Sequence, residues 1–368
     1  FAISHGSRWP DRASQLIFRH LAARVRAGSI QIRLPGDTEL VLRGRAAGPL
    51  AAVTMNNWRA LRRLIDGGTG LAEGYMAGDW STPDLPTLLL FLAINLPSKQ
   101  DGAVTLPWRR LRRLLENGVF TKSRERARRQ IAHHYDLGNE FYRAWLDRSL
   151  TYSSAIFQCP DQDLELAQAN KYRRIADLAG LTRTDRVLEI GCGWGGFAAW
   201  AVREIGCHVT AITISDAQFD HASRHVSQLG LHGRVEIVRR DYRDVEGQYD
   251  KIVSIEMFEA VGEKHWLPFF EKVRCSLAPG GRAALQIITI DHGVLERYRR
   301  SVDFIQKYIF PGGFLPSTSA LKSLADATGL QWQGLDFFGS HYVQTLGLWR
   351  QRFEINWPEI EALGFGER

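Results

Sequence analysis

Short apolar runs recur at regular intervals along the second half of the chain, with helical periodicity between them. Arg186–Ile190, His208–Ile212, Val235–Val238, Lys251–Ile255 and Gly281–Ile288 read as strands. Gly195–Glu204, Asp216–Leu229 and Trp266–Leu277 read as the helices that separate them. This alternation predicts an α/β fold, a mostly parallel sheet with helices on both faces. Nearer the N-terminus the pattern changes. Residues 14–28 read as a helix, and Ser29–Gly44 alternates apolar and polar positions around Pro35-Gly36-Asp37, which supplies hairpin turn chemistry. Met55–Ile65 and Leu85–Leu96 read as helices on either side of the glycine-rich stretch Gly67–Gly78. The expected organisation is a small α+β domain over residues 1–103, a connector over 104–129 and a larger α/β domain over 130–368.

Composition narrows the class. Eleven Trp, eighteen Phe and ten Tyr exclude a disordered chain, and 34 Gly with 13 Pro fall without the period of a collagen. The cysteines Cys159, Cys192, Cys207 and Cys275 have no metal-type spacing and outline no disulfide framework. No metal is expected, and a reducing, cytoplasmic compartment is. The apolar run Leu85–Leu96 is short of the roughly 20 residues that a bilayer-spanning helix needs. No signal peptide opens the chain, and its start at Phe1 rather than Met suggests trimming from a longer protein.

The net charge of +7 is uneven. Residues 1–150 carry 23 Lys and Arg against 13 Asp and Glu, or +10; residues 151–368 carry 24 against 27, or −3. Between Val104 and Arg129 nine basic residues accompany two acidic ones. There, Arg109, Arg110, Arg112 and Arg113 interleave with Trp108, Leu111, Leu114 and Leu115. Such a segment is either a solvated helix face or a dock for an anionic surface, bilayer or nucleic acid. Each cation near anionic lipid adds about 1 kcal/mol, so several give reversible docking.

The strand ending at Ile190 runs into Gly191-Cys192-Gly193-Trp194-Gly195-Gly196 and at once into a helix. This is the context of a glycine-rich nucleotide loop, where the backbone approaches the ligand and a helix start offers free N–H groups. No Gly-Lys-Ser/Thr follows, which argues against a phosphate-binding P-loop. Glu189, in the strand just before the glycines, gives the arrangement seen in S-adenosylmethionine methyltransferases. After the second strand, Thr213-Ile214-Ser215-Asp216 offers hydroxyls where nucleotide folds often place a ribose-binding acid, and Asp216 reads equally as ligand or helix cap. After the third strand, Asp241 and Tyr242 are suited to the amine and ring of an adenine.

Several motifs together resemble the cyclopropane-fatty-acyl-phospholipid synthase family and its mycolic-acid methyltransferase relatives. They are His134-Tyr135-Asp136-Leu137-Gly138-Asn139-Glu140-Phe141-Tyr142, Thr151-Tyr152-Ser153-Ser154, Glu189 through Gly196, and Thr213-Ile214-Ser215 leading to Gln218. Met257-Phe258-Glu259, Lys307 through Gly313, and Phe338-Gly339 leading to Tyr342 complete the set. The resemblance covers about residues 130–360; the first 100 resemble the family's auxiliary domain more loosely. It implies a Rossmann-like class I methyltransferase domain that transfers a methyl group from S-adenosylmethionine to a cis double bond of an acyl chain, usually in a membrane phospholipid. Implied cofactor contacts are Tyr152, Ser153, Glu189, Gly191, Gly193, Trp194, Gly195, Thr213, Ser215, Gln218, Asp241 and Tyr242. The basic segment then points to anionic lipid rather than nucleic acid, and to a peripheral position at the inner face of the membrane. A homo-oligomer stays open.

Methyl transfer to an alkene leaves a cation on the chain, which an apolar site must shield from water. Aromatic faces stabilise such a cation by about 0.5–2 kcal/mol each. Trp194, Phe258, Tyr308 and Phe310 are candidates, with ordinary packing as the alternative. The family attributes the closing proton abstraction to a bound bicarbonate held by a Cys, a Glu, a His, a Tyr and a backbone amide. Residue by residue, the resemblance places these at Ser154, Glu259, Gln286, Tyr342 and the amide of Ile288. Ser154 and Gln286 replace the thiol and the imidazole but still donate hydrogen bonds. The product is therefore a cyclopropane, a methyl-branched alkene or an exomethylene chain. Glu259, at the carboxyl end of the fourth strand, is read as catalytic rather than as a helix cap. A methyltransferase of small soluble amines or hydroxyls would not need the basic connector or Lys307–Gly313. A non-catalytic binding module would not need Glu259 beside a complete glycine loop.

Overall fold

In the computed structural model, which describes residues 2–3, 18, 21–36, 38–64, 67–95 and 137–366, the chain forms two units. Described residues up to Asn95 belong to the first together with Glu296–Lys307; the others form the second. The basic connector 104–129, with Arg109, Arg110, Arg112 and Arg113, and the His134–Asp136 end of the first motif lie outside the described residues.

In the first unit β1 (Ala2–Ile3), β2 (Ala27–Arg33), β3 (Glu39–Arg43), β4 (Ala46–Met55) and β5 (Trp80–Ser81) pair in the order β1-β3-β2-β4-β5. The expected hairpin is β2–β3, with Ile30 opposite Leu42 and Ile32 opposite Leu40, all four buried. Three sequence expectations change. The 14–28 helix stops short, because Ala27 already opens β2. Met55 closes a strand, and the helix begins only at α1 (Arg59–Leu64). The glycine-rich stretch is mostly helix, α2 (Gly67–Met76), in which Gly74 packs too closely for a side chain: a Cβ there would lie 2.9 Å from Trp80 Nε1. Helix α3 (Leu85–Asn95) buries Leu88 and Phe91 and exposes Leu89, Leu90 and Ile94.

The second unit contains α4 (Asn139–Arg143), α5 (Leu164–Ala179), β6 (Arg186–Ile190), α6 (Gly196–Glu204), β7 (His208–Thr213), α7 (Asp216–Gln228) and β8 (Val235–Arg239). It continues with β9 (Tyr249–Ile255), α8 (Trp266–Ser276), β10 (Leu277–Gln286), the start of α9 (His292–Arg299), whose residues from Glu296 on belong to the first unit, α10 (Thr318–Ala327), α11 (Gly339–Ile355) and α12 (Trp357–Ala362). The expected parallel sheet forms, in the order β10-β9-β6-β7-β8. Its inner strands β6, β7 and β9 are mostly buried and so carry mainly apolar residues, whereas the edge strands β8 and β10 are partly exposed. Val187, Val209 and Val253 pack with Tyr172 and Phe197 on one face; Leu188, Ile190, Ile212 and Ile252 pack with Phe258, Trp266 and Phe269 on the other. Each such aliphatic side chain contributes about 1.5–3 kcal/mol.

The chain builds outward from β6 through β7 to β8, then returns to place β9 and β10 on the opposite side of β6. That reversal opens a crevice at the carboxyl ends of β6 and β9, where open α/β sheets bind ligands. Among the described residues no helix is long and apolar enough to cross a membrane, and all four cysteines are free.

Candidate active site

After β6 the chain turns through Gly191–Gly195 into α6. The Gly191 and Cys192 amides both donate to the Ile212 carbonyl at 3.0 and 2.9 Å, tying the loop to β7. Gly191, Gly193 and Gly195 have φ of 85°, 54° and 89°, in the left-handed region. A Cβ on Gly191 would lie 2.6 Å from Met257 Cγ, and one on Gly195 would lie 3.1 Å from Ala222. A Cβ on Gly193 would meet nothing within 4 Å, so here the backbone itself borders open space. Glu189 is buried behind the loop and its Oε2 has no hydrogen-bond partner in the structure. Burial holds its carboxyl well above the usual range despite the opposing pull of Lys171.

The other expected cofactor residues differ in how they are engaged. Thr213 Oγ1 donates to Gln218 Oε1 at 2.8 Å and accepts from the Ser215 amide at 3.2 Å, while Ser215 Oγ caps α7 through the Gln218 amide at 3.3 Å. Asp216 is not the cap; it pairs with Arg239 at 2.5 Å. Both oxygens of Asp241 are bridged by Arg243, at 2.8 and 2.5 Å, and Tyr242 packs on Phe269 with that guanidinium over its ring. Trp194 is turned inward, donating from Nε1 to Asn139 Oδ1 at 2.7 Å and packing on Tyr142. Ser153 Oγ accepts from the buried Lys171 Nζ at 2.7 Å. The Tyr152 ring lies among Tyr142, Trp145, Trp349 and Phe310.

Ser154, Gln286 and Tyr342 do converge, but on a residue that motif matching passed over. The Glu256 carboxylate accepts from the Ser154 amide at 2.9 Å, from Gln286 Nε2 at 2.8 Å and from the Tyr342 hydroxyl at 3.3 Å. Its own amide donates to the Gln286 carbonyl at 2.9 Å. The Ser154 hydroxyl points elsewhere, donating to the Ala155 carbonyl at 3.2 Å. Glu256 has φ of 48°, a left-handed conformation that costs a non-glycine residue about 1–2 kcal/mol. Such strain gathers at functional sites. The signal in the sequence was an acid directly after the apolar run of β9, three residues before Glu259.

Glu259 stands beside it. Its Oε1 accepts from the Ile288 amide at 2.5 Å, and its Oε2 is buried without a partner. Burial first, and the Glu256 charge second, push its carboxyl up to about 8. Glu256 is raised too, by burial, while the Ser154 amide, Lys171, Gln286 and Tyr342 favour its ionised form. Both carboxyls are thus held above the ordinary range, and the donors around Glu256 favour its ionised form more than the single Ile288 amide favours that of Glu259. Lys171 is pulled down to about 8 by burial, against the charges of Glu256, Asp147 and Glu189.

Of the aromatic candidates, Phe258 belongs to the core, stacked on Trp266 and packed against Phe269 and Phe270. Tyr308 and Phe310 are exposed. The ring that reaches a carboxylate comes instead from α11: Tyr342 donates to Glu256 and meets Trp349 edge-on at 6.2 Å, and Trp349 lies 5.4 Å from Tyr152.

A sequence profile described as mycolic acid cyclopropane synthetase matches residues 122–368. The chain belongs to that family. It is 40% identical over 319 residues to tuberculostearic acid methyltransferase UfaA1 of Mycobacterium tuberculosis, covering 84% of this chain and 74% of that one. It is 35% identical over 311 residues to the cyclopropane-fatty-acyl-phospholipid synthase of Escherichia coli K12, covering 83% and 77%. The solved mycolic acid cyclopropane synthase CmaA1, complexed with SAH and CTAB, matches with a TM-score of 0.61 at 31% identity, over 64% of this chain and 86% of that one. As a member of the family this protein is an S-adenosylmethionine-dependent methyltransferase that modifies lipid acyl chains.

Proposed function

We propose that the enzyme methylates the cis double bond of an unsaturated acyl chain in a membrane phospholipid, giving a cyclopropane or a related methylated chain. One observation carries this reading: the buried carboxylates of Glu256 and Glu259 lie at the strand ends, with the Tyr342 hydroxyl on Glu256 and an aromatic cluster of Trp349 and Tyr152 continuing from the Tyr342 ring. An anion in apolar, aromatic surroundings suits a cation formed on a hydrocarbon. Methylation of an amine or hydroxyl would instead call for polar groups to orient the nucleophile.

S-Adenosylmethionine, when bound, supplies an electrophilic sulfonium methyl. In this reading the bordering backbone of Gly193, with Gly191 and Gly195 shaping the loop, makes room for it. Tyr152, Ser153, Glu189, Trp194, the Thr213–Ser215–Gln218 turn, Asp241 and Tyr242 surround that space. The aromatic wall excludes water that would trap the cation as an alcohol. The Glu256 charge offsets the positive charge that develops on the acyl carbon as the new C–C bond forms.

Docking at an anionic bilayer belongs to the same proposal. It draws on the charge of the 104–129 segment and on Leu89, Leu90 and Ile94, which α3 leaves exposed. It places the enzyme peripherally on the inner face of the membrane, with no role for nucleic acid.

The test is label transfer from methyl-labelled S-adenosylmethionine to vesicles of dioleoyl or dipalmitoyl phosphatidylglycerol. Label should enter the acyl chains of the unsaturated lipid alone. Equal labelling of the saturated lipid, or labelling of a soluble amine in its place, overturns the reading.

A further inference from the structure

We propose that Glu256 is a resident catalytic carboxylate: its side chain fills the oxyanion pocket and takes the proton released after methyl transfer, so that turnover needs no bicarbonate. This rests on the lipid methylation reading and names the group that completes it. The donors that the family resemblance assigns to bicarbonate do not fit a second anion here. The Gln286 amide and the Tyr342 hydroxyl are directed at Glu256, and the Ile288 amide is taken by Glu259. The Ser154 hydroxyl is turned to the Ala155 carbonyl, while its amide also serves Glu256. An anion supplied by the chain thus stands where an anion from solution would bind.

The step balances without a further reactant. The alkene π pair forms the bond to the methyl carbon, and the S–CH3 pair stays on sulfur as the neutral thioether. The resulting carbocation loses a C–H proton to a Glu256 oxygen, and that C–H pair closes either a ring or a double bond. The left-handed backbone at Glu256 also predicts which substitution folds well. Glycine is at ease there, so Glu256→Gly empties the pocket without strain.

Two arms test this. The first is calorimetric titration of bicarbonate into enzyme loaded with S-adenosylhomocysteine. Wild type should show no saturable binding and Glu256→Gly should show it; saturable binding to wild type, or none to Glu256→Gly, overturns the proposal. The second is turnover on unsaturated vesicles in carbon-dioxide-free buffer. Wild-type turnover should not change on adding bicarbonate, and Glu256→Gln should lose at least a thousandfold while holding S-adenosylhomocysteine within a few-fold. Glu256→Gly should regain activity with bicarbonate or formate. A tenfold stimulation of wild type by bicarbonate, near-normal turnover in Glu256→Gln, or no rescue of Glu256→Gly by either anion overturns the proposal. If wild type methylates no unsaturated lipid, the lipid reading fails, while the titration still decides what fills the pocket.

Discussion

Gln286 Nε2 donates to Glu256 Oε1 at 2.8 Å across the carboxyl ends of the neighbouring strands β10 and β9. The same nitrogen donates to the Ser154 carbonyl at 3.2 Å, so one side chain ties together two walls of the site. Gln286→Leu leaves a buried carboxylate short of a donor, at a cost of about 1–3 kcal/mol. Thermal denaturation should show that loss, and the lower limb of the pH–rate profile should move to higher pH as the ionised form of Glu256 is weakened. Gln286→His keeps a donor and should retain most of both. An unchanged profile in Gln286→Leu contradicts the coupling.

Glu259 makes stability depend on pH. Its carboxyl stays protonated in the folded protein up to about 8, against 4.5 for an ordinary glutamate. Between these values the unfolded chain binds fewer protons than the folded one, so stability falls as pH rises and levels off above about 8. Glu256 and Tyr342 face this carboxyl, and the Ile288 amide donates to it. Glu259→Gln removes the ionisation. Denaturant titrations from pH 5 to 9 should therefore show wild type losing stability relative to that variant. Parallel curves contradict the assignment.

The glycine loop separates packing from binding. Gly191→Ala drives a methyl into Met257, whereas Gly193→Ala places one in open space and adds only left-handed strain of about 1–2 kcal/mol. Calorimetry with S-adenosylhomocysteine should show at least a tenfold loss of affinity in Gly193→Ala, and the larger fall in melting temperature should belong to Gly191→Ala. Wild-type affinity in Gly193→Ala removes the loop from the cofactor site.

Much of this was legible in the sequence, for identifiable reasons. Strands β6, β7 and β9 are mostly buried and so dominated by apolar residues, and the ends of β6 to β9 fall within two residues of expectation. Strand β10 was less clear because its register slips between Leu277 and Arg282, within Ala278-Pro279-Gly280-Gly281. Helix α2 was hidden because propensity penalises its glycines, one of which, Gly74, tertiary packing requires. Glu256 was hidden for another reason. Motif matching fixed on Glu259, and nothing in one dimension shows that Ser154, Gln286 and Tyr342, far apart in the chain, direct donors at its neighbour.

Membrane docking should be electrostatic. Changing Arg109, Arg110, Arg112 and Arg113 to Gln should reduce sedimentation with anionic vesicles, as should salt, which shortens the screening length to about 3 Å at 1 M. Cofactor affinity should not change. Vesicle binding that survives both treatments assigns those arginines to a solvated surface.

The central claim is carbon methylation of an alkene in an acyl chain. Its most direct test is mass and proton resonance analysis of acyl chains after turnover with trideuteromethyl S-adenosylmethionine and dioleoyl phosphatidylglycerol vesicles. The account predicts acyl chains heavier by one methyl-derived carbon that carry deuterium, two atoms of it in a cyclopropane or exomethylene chain and three in a methyl-branched alkene, with cyclopropyl resonances marking a ring. Label found only outside the acyl chains, or acyl chains without deuterium, would contradict it.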